Sequence, residues 1–296
     1  MENRHEPYGL LMGEGETMTD FASFLHYYAY SNMGLVRNNN EDNYLALPED
    51  GFFAVMDGMG GGEAGEVASQ FIRDMLAKSL KNTADESPGE RKYSVQQALH
   101  KAHSKICAYA DVHQYGSMGS TAVSILFNPW NPDQAMVCHV GDSRLYCLRN
   151  GELFLITQDH TVGNEMIQKK QKIDKISPKL LHVLTRVVGG SQPLRPEWTD
   201  IAVCPGDVYL LCSDGVWGLV DDATIEAILA SSRDPQALTE RLQQHVLAAG
   251  ADDNFTILPI VVGRFDAMPF TPDPVEKEES DLLLRIAEER VDYGRQ

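Results

Sequence analysis

The feature that most restricts what this chain can fold into is a series of short apolar runs. Phe52–Asp57, Thr121–Phe127, Ala135–Val140, Arg144–Leu148, Asp207–Cys212 and Thr256–Val262 are rich in Val, Ile, Phe, Tyr or Leu and are separated by Gly, Asp and Asn turns. Runs of this length and composition read as strands. Helical periodicity falls elsewhere. Ala64–Leu80 sets Val67, Phe71, Met75 and Leu80 near one face, Val95–Ala110 does the same with Leu99, Ile106 and Tyr109, and Leu238–Ala249 is a third. The helices stand between groups of strands rather than alternating with single ones. That order predicts an α+β layered sandwich rather than a doubly wound parallel sheet. Gly141-Asp142-Ser143, between two of the runs, has tight-turn composition and predicts a hairpin from Val140 to Leu145.

This texture continues from about Leu25 to Gly263. Three parts are therefore expected: an N-terminal extension (1–25), one domain (26–265), and a Pro-containing linker with an acidic C-terminal helix (266–296). That helix, over Glu276–Val291, is suited to docking on the domain's own surface or on a partner. A chain of 296 residues can bury an ordinary core without metal or disulfide staples. Its five cysteines (Cys107, Cys138, Cys147, Cys204, Cys212) form no C-x-x-C pair, which predicts buried reduced thiols. No apolar run approaches the ~18 residues of a membrane span, and the acidic, Gly-rich start lacks the pattern of a signal peptide. A cytoplasmic monomer is expected.

Charge narrows the partners. With 25 Lys+Arg against 43 Asp+Glu, the formal charge is −18. Such an excess repels nucleic-acid backbones and anionic membrane surfaces. The one basic block, Lys169, Lys170, Lys172, Lys175 and Lys179, lies between His160 and Gly190.

Four acidic spots sit at the ends of strand-like runs: Asn40-Glu41-Asp42, Asp57-Gly58, Asp214-Gly215 and Asp252-Asp253-Asn254. A strand ending in Asp-Gly delivers a carboxylate to the sheet edge, and Gly permits close backbone approach there. One Asp-Gly alone is ordinary turn chemistry. Several together would repel one another unless a hard divalent cation relieved the repulsion. An all-oxygen set without a His/Cys group points to Mg²⁺ or Mn²⁺ rather than zinc. Two such ions ~3.5–4 Å apart would suit hydrolysis by a bridging water.

The order of motifs then resembles a known family. Gly34-Leu35-Val36-Arg37-Asn38-Asn39-Asn40-Glu41-Asp42 is followed by Asp57-Gly58-Met59-Gly60-Gly61 and Ala64-Gly65-Glu66. Next come Gly119-Ser120-Thr121, His139-Val140-Gly141-Asp142-Ser143-Arg144 and Thr157-Gln158-Asp159-His160. Leu184-Thr185-Arg186, Ser213-Asp214-Gly215-Val216-Trp217 and Asp253-Asn254-Phe255-Thr256 complete the set. In this order, over about Tyr28–Val262, they resemble the bacterial PPM, or type-2C, metal-dependent Ser/Thr protein phosphatases. The resemblance implies a four-layer α/β/β/α sandwich, two central antiparallel sheets flanked by helices, with the metals in a cleft at one end.

It also implies roles. Asp57 bridges two metals and Gly58 offers its carbonyl to one. Asp214 and Asp253 complete one shell, and Glu41 and Asp42 hold the other metal, the direct ligand of the two being left open. Asp142 contributes to a third, weaker site, or else is a turn residue. Arg37 binds the phosphate, or pairs with one of the carboxylates. Asn254 orients a neighbour, and Gly119-Ser120-Thr121 packs near the cleft. The implied reaction is attack of a metal-bridging water or hydroxide on phosphoserine or phosphothreonine of proteins, reversing a Ser/Thr kinase. No cysteine is followed by Arg at the spacing of the Cys-x5-Arg phosphatases. Met59 stands where animal members carry His, so the leaving oxygen needs another proton source: a metal-bound water first, with His160 and His139 as alternatives. The segment from Thr161 to about Val183 falls where the family has a flap, whose lysines suit acidic phosphopeptides. A catalytically silent sensor or scaffold of the same fold is the alternative. Loss of a metal carboxylate or of Arg37 would favour it, and all are present.

Overall fold

The computed structural model describes residues 21–60, 64–170 and 178–263. The expected acidic C-terminal helix, the Pro-containing linker and most of the N-terminal extension lie outside the described residues, as do Lys172 and Lys175 of the basic block and the side chain of Lys179. Among the described residues, twelve strands and seven α-helices follow one another. They are β1 (Leu25–Tyr27), β2 (Tyr30–Asn32), β3 (Asp42–Leu47), β4 (Phe52–Gly60), α1 (Ala64–Leu80), α2 (Pro88–His113), β5 (Met118–Ser120), β6 (Ala122–Phe127), β7 (Gln134–Val140), β8 (Arg144–Arg149) and β9 (Glu152–Leu155). Then come α3 (Val162–Gln168), α4 (Pro178–Leu181), β10 (Glu197–Ala202), β11 (Val208–Cys212), α5 (Asp214–Trp217), α6 (Asp222–Ala230), α7 (Pro235–Ala248) and β12 (Phe255–Val262).

The strands form two antiparallel sheets. One has the order β1-β12-β11-β8-β9 with β2 also on β12, and the other β10-β7-β6-β4-β3 with β5 on β4. Alternation along each strand divides the core into three layers. Phe53, Val55, Val123, Ile125, Leu211, Leu258 and Ile260 fill the space between the sheets. Phe52, Ala54 and Met56 turn the other way onto α1 and α2. Leu210, Phe255 and Ile257 turn onto α6 and α7. The result is the expected four-layer sandwich of helices, two sheets and helices. Among the described residues, no helix is long and apolar enough to cross a membrane.

Local chemistry sets the ends of the elements. Ser87 and Glu90 form a reciprocal capping box at α2 with Pro88 in its first turn, and Asp221 and Asp234 cap α6 and α7. Pro259 has no N–H to donate, and it lies in β12 where the neighbouring strand breaks into β1 and β2.

Three expectations need correction. The hairpin from Val140 to Leu145 does not form: β7 pairs with β6 and β10, whereas β8 pairs with β9 and β11. Gly141-Asp142-Ser143 instead carries the chain from one sheet to the other, with Gly141 at φ +102° against the Thr121 side chain. The buried stripe of α1 is Ala64, Ala68, Ile72, Leu76 and Leu80, one residue round from the predicted face. Val67, Phe71 and Met75 are half-buried on its flank, where Phe71 meets Tyr109 of α2 edge-on. The five thiols are free, but only Cys138, Cys147 and Cys212 are buried, Cys107 and Cys204 being half-buried.

Candidate active site

One end of the sandwich gathers the predicted carboxylates. β4 leaves the core at Asp57, whose amide donates to Thr121 Oγ1 at 3.0 Å and whose carbonyl accepts from the Thr121 amide at 2.8 Å. Thr121 Oγ1 is in turn 2.7 Å from Ser143 Oγ, so the Gly-Ser-Thr segment clamps the strand end to the sheet-to-sheet link. Gly58 is needed for close approach. Its amide donates to the Glu41 carbonyl at 3.1 Å, and a Cβ there would run into the Gly65 carbonyl at the start of α1.

β3 lies beside β4 with Asp42 directly opposite Asp57. Glu41 and Asp42, adjacent in sequence, have different surroundings. Asp42 is buried between the sheets, where its Oδ2 accepts from Ser213 Oγ and Thr256 Oγ1, each at 2.7 Å. Its Oδ1 has no hydrogen-bond partner among the described residues. Glu41 lies over Gly65 at the head of α1, half-buried, and accepts from Asn39 Nδ2 at 3.3 Å. Ser213 and Thr256 stand in the family motifs, but the sequence assigned them no role of their own.

The opposite sheet supplies the other acids. Asp214 opens α5 immediately after β11, and Asp253 precedes β12. Asp142, buried, sits on the link between sheets. These groups perturb one another strongly. Burial holds the Asp57 carboxyl well above the usual carboxylate range, and the fields of Asp214, Asp42 and Asp142 add to the shift. Burial, with Asp214 and Asp159, pushes Asp142 up to about 8. Burial, followed by Asp253, raises Asp214. Each of these carboxylates disfavours ionisation of its neighbours, which marks a position where a cation would be stabilised. The orphaned Asp42 Oδ1 and the all-oxygen donor set fit a hard divalent ion. Asp252, by contrast, is exposed, and it is not among the groups acting on the cluster.

Arg37 stands at the rim. Its Nη2 lies 2.7 Å from Asp253 Oδ2, with half of the Arg37 side chain exposed. Of the two expectations for this residue, pairing with a cluster carboxylate is the one seen here, and half of the side chain stays open to solvent. The loop that carries it is held by buried Asn254, whose Nδ2 donates to the carbonyls of Met33 at 2.9 Å and Asn39 at 2.8 Å. Its Oδ1 accepts from the Glu41 amide at 2.9 Å.

The two histidines do structural work. His139 and His160 stack with ring centres 4.4 Å apart. His139 Nε2 bonds the Gln158 carbonyl at 2.9 Å, and burial followed by the His160 field lowers its pKa to about 4. His160 Nδ1 accepts from the Gly141 amide at 3.1 Å, which leaves Nε2 to donate to Glu197 Oε2 at 3.2 Å. His139, His160 and Glu197 converge closely enough for a metal ion. That bonding already uses both His160 nitrogens, and Arg186 supplies a cation 3.3 Å from Glu197. The group is satisfied as it stands. In the basic block, Lys169 pairs with Glu165 at 3.1 Å.

Residues 29–166 match the family model Protein phosphatase 2C. Over 272 residues the chain is 34% identical to the Serine/threonine protein phosphatase PstP of Mycobacterium tuberculosis, covering 88% of this chain and 50% of that one. The chain thus spans about half the length of that curated relative. Among solved structures, the catalytic domain of PstP in complex with two manganese ions is similar at TM-score 0.68 and 34% identity, covering 81% of this chain and 99% of that chain. PppA, described as a key regulatory component of T6SS in Pseudomonas aeruginosa, is similar at TM-score 0.73 and 33% identity, covering 81% and 98%.

Proposed function

The chain belongs to the protein phosphatase 2C family, and from that premise we propose that it hydrolyses phosphoserine and phosphothreonine on proteins with two divalent ions, Mn²⁺ or Mg²⁺. The observation that carries this reading is the convergence of buried Asp142 with half-buried Asp57 and Asp214, with the half-exposed guanidinium of Arg37 at the rim. The manganese of the PstP catalytic domain suits the same oxygen chemistry.

Asp57 would contact both ions, with the Gly58 carbonyl and Glu41 on one and Asp214 and Asp253 on the other. Asp142 with Asp214 would form a third, weaker site. Asp42 is already bound by two hydroxyls, which leaves Glu41 as the freer ligand of that pair. Bound ions supply Lewis acidity toward phosphoryl oxygens and lower the pKa of a water. The chain's own residues do the rest. Arg37 presents a planar donor pair to two phosphate oxygens. Asp253 aims that guanidinium, and Asn254 holds the loop beneath it. Ser213 and Thr256 keep Asp42 turned inward, away from substrate.

Substrates of a Ser/Thr kinase are the expected partners, and a cytoplasmic location fits the five free cysteines. The test is hydrolysis of a phosphothreonine peptide and of an aryl phosphate with and without Mn²⁺, by the unchanged protein and by Asp57→Asn. A metal-independent rate, or an unchanged rate in Asp57→Asn, would overturn the proposal.

A further inference from the structure

Beside the carboxylate cluster lies a second concavity of about 720 Å³, within the usual size of ligand sites at ~300–1,000 Å³. One wall is the C-terminal part of α2 and the segment up to β5, including Asp111 and Tyr115. The other is the 184–195 segment, with Arg186 and Arg195. Met59 joins it to the active site. Strand alternation puts Met59 on the face of β4 that carries Asp57, about 7 Å further along, the reach of two residues of extended peptide.

The walls are built in advance. Val188 exchanges both backbone hydrogen bonds with Ser120 of β5 at 2.9 Å. The Gly189 amide donates to His103 Nδ1 of α2 at 3.0 Å, and Cys107 Sγ points at the Gly189 carbonyl at 3.5 Å. A site fixed before binding loses less freedom when it is filled. Two of its charged groups are already engaged, Arg186 with Glu197 and Glu165 with Lys169. Arg195 is exposed and has no ion pair among the described residues. On a chain of formal charge −18, an acidic ligand is repelled over most of the surface, so one unpaired arginine in a cleft that Met59 joins to the active site has a selective effect.

We infer that this cleft receives the polypeptide flanking the phosphorylated residue, and that Arg195 selects an acidic side chain there. The identity of the occupant rests on the phosphatase reading, since the phosphoryl group must lie at Arg37 for its neighbours to pass Met59. An aryl phosphate is too short to reach the cleft. Arg195 is thus a specificity residue with no part in the chemical step.

The test separates the two ideas. A fluorescent peptide with a non-hydrolysable phosphonate in place of phosphothreonine is titrated against the full chain with Mn²⁺ by anisotropy, with Glu or with Lys at the flanking positions. The Glu peptide should bind about threefold more tightly, the scale of one exposed charge contact. Arg195→Glu should reverse that order. Ser191→Trp, at an exposed lining position, should weaken both peptides while aryl phosphate turnover keeps its kcat/KM. Equal affinities for the two peptides, or an order unmoved by Arg195→Glu, would refute the assignment. Failure of the phosphatase reading would show separately, as absent turnover of both aryl phosphate and phosphopeptide by the unchanged protein, and the binding order would still decide the role of Arg195.

Discussion

Trp217 donates its indole N–H to the main-chain carbonyl of Asp142 at 3.0 Å. The bond ties α5, which Asp214 opens, to the link between sheets that carries Asp142. Arg144 lies over the indole, 3.7 Å from the ring centre, and is fixed in turn by two bonds to Asp159 at 2.7 and 3.0 Å. Two mutually repelling carboxylates, one on the link between the sheets and one at the head of α5, are therefore held together by an aromatic side chain that bonds neither carboxyl group.

Trp217→Phe keeps a ring under Arg144 and removes the donor. A hydrogen bond of this kind is worth roughly 0.5–1.5 kcal/mol net, so Mn²⁺ affinity at the weakest site should fall about two- to tenfold. Calorimetric metal titration measures this directly. An isotherm unchanged from that of the native protein would show that the indole does not hold the pair.

Metal-free protein should lose stability as the pH rises. Burial, opposed by the Ser213 and Thr256 hydroxyls, leaves Asp42 raised to about 7, and burial with Asp214 raises Asp142 to about 8. Both groups titrate near ~3.9 in an unfolded chain. Between those limits the folded form holds protons that the unfolded chain has released. The contribution is complete below about pH 4 and is lost as the pH passes through 7 and 8. A divalent ion favours the ionised carboxylates, so its stabilising effect should grow across the same window. Melting in chelator at about pH 6 and about pH 8.5 should give the lower Tm at the higher pH, and the rise on adding Mn²⁺ should be larger there. A chelator Tm that is flat or rising across this range would contradict it.

Arg37→Lys keeps the charge and loses the planar donor pair. KM for a phosphopeptide should rise about tenfold. The bridge to Asp253 is open to water, with side-chain exposures of 51% and 36%, so stability should change by less than about 0.5 kcal/mol. Steady-state kinetics and a denaturant melt check the two halves, and a large loss of stability would mean that Arg37 is chiefly structural.

Asn254→Ala removes three hydrogen bonds from one buried side chain and strands the Glu41 amide and the carbonyls of Met33 and Asn39. The cost should be about 2–3 kcal/mol. Amide exchange in residues 33–41 should accelerate more than in β6 or β11, because only that loop loses its anchor. Uniform acceleration across the domain would show that Asn254 supports the whole fold instead.

Much of this was legible before any tertiary contact was known. The six strand runs, α1 and the site acids at strand ends (Asp57, Asp214, Asp253) follow from patterns with a local cause: alternation, helical spacing, and Gly beside Asp where the backbone must turn. What local pattern could not decide is direction in space. Gly141-Asp142-Ser143 has the composition of a hairpin turn, yet composition does not say whether the next strand returns to the same sheet or crosses to the other. The face of α1 was placed one residue off because the helix meets both a sheet and α2, so two adjacent stripes are apolar. Ser213, Trp217 and Thr256 stand inside the family motifs without an assigned role and Arg195 stands in none, since their roles come only from what lies opposite them.

That carboxylates end apolar strands in a layered α+β domain follows from local pattern, because strand period and Asp-Gly chemistry act over a few residues. How the acids divide the work depends on packing between the sheets. Glu41 and Asp42 are neighbours, and it is the second sheet, bringing Ser213 and Thr256 within 2.7 Å of Asp42, that binds one inward and leaves the other less engaged. The cleft beside Met59 has the same origin, since its walls lie more than a hundred residues from β4 on one side and over forty on the other. Long-range packing sets such distances, and no window along the chain contains them.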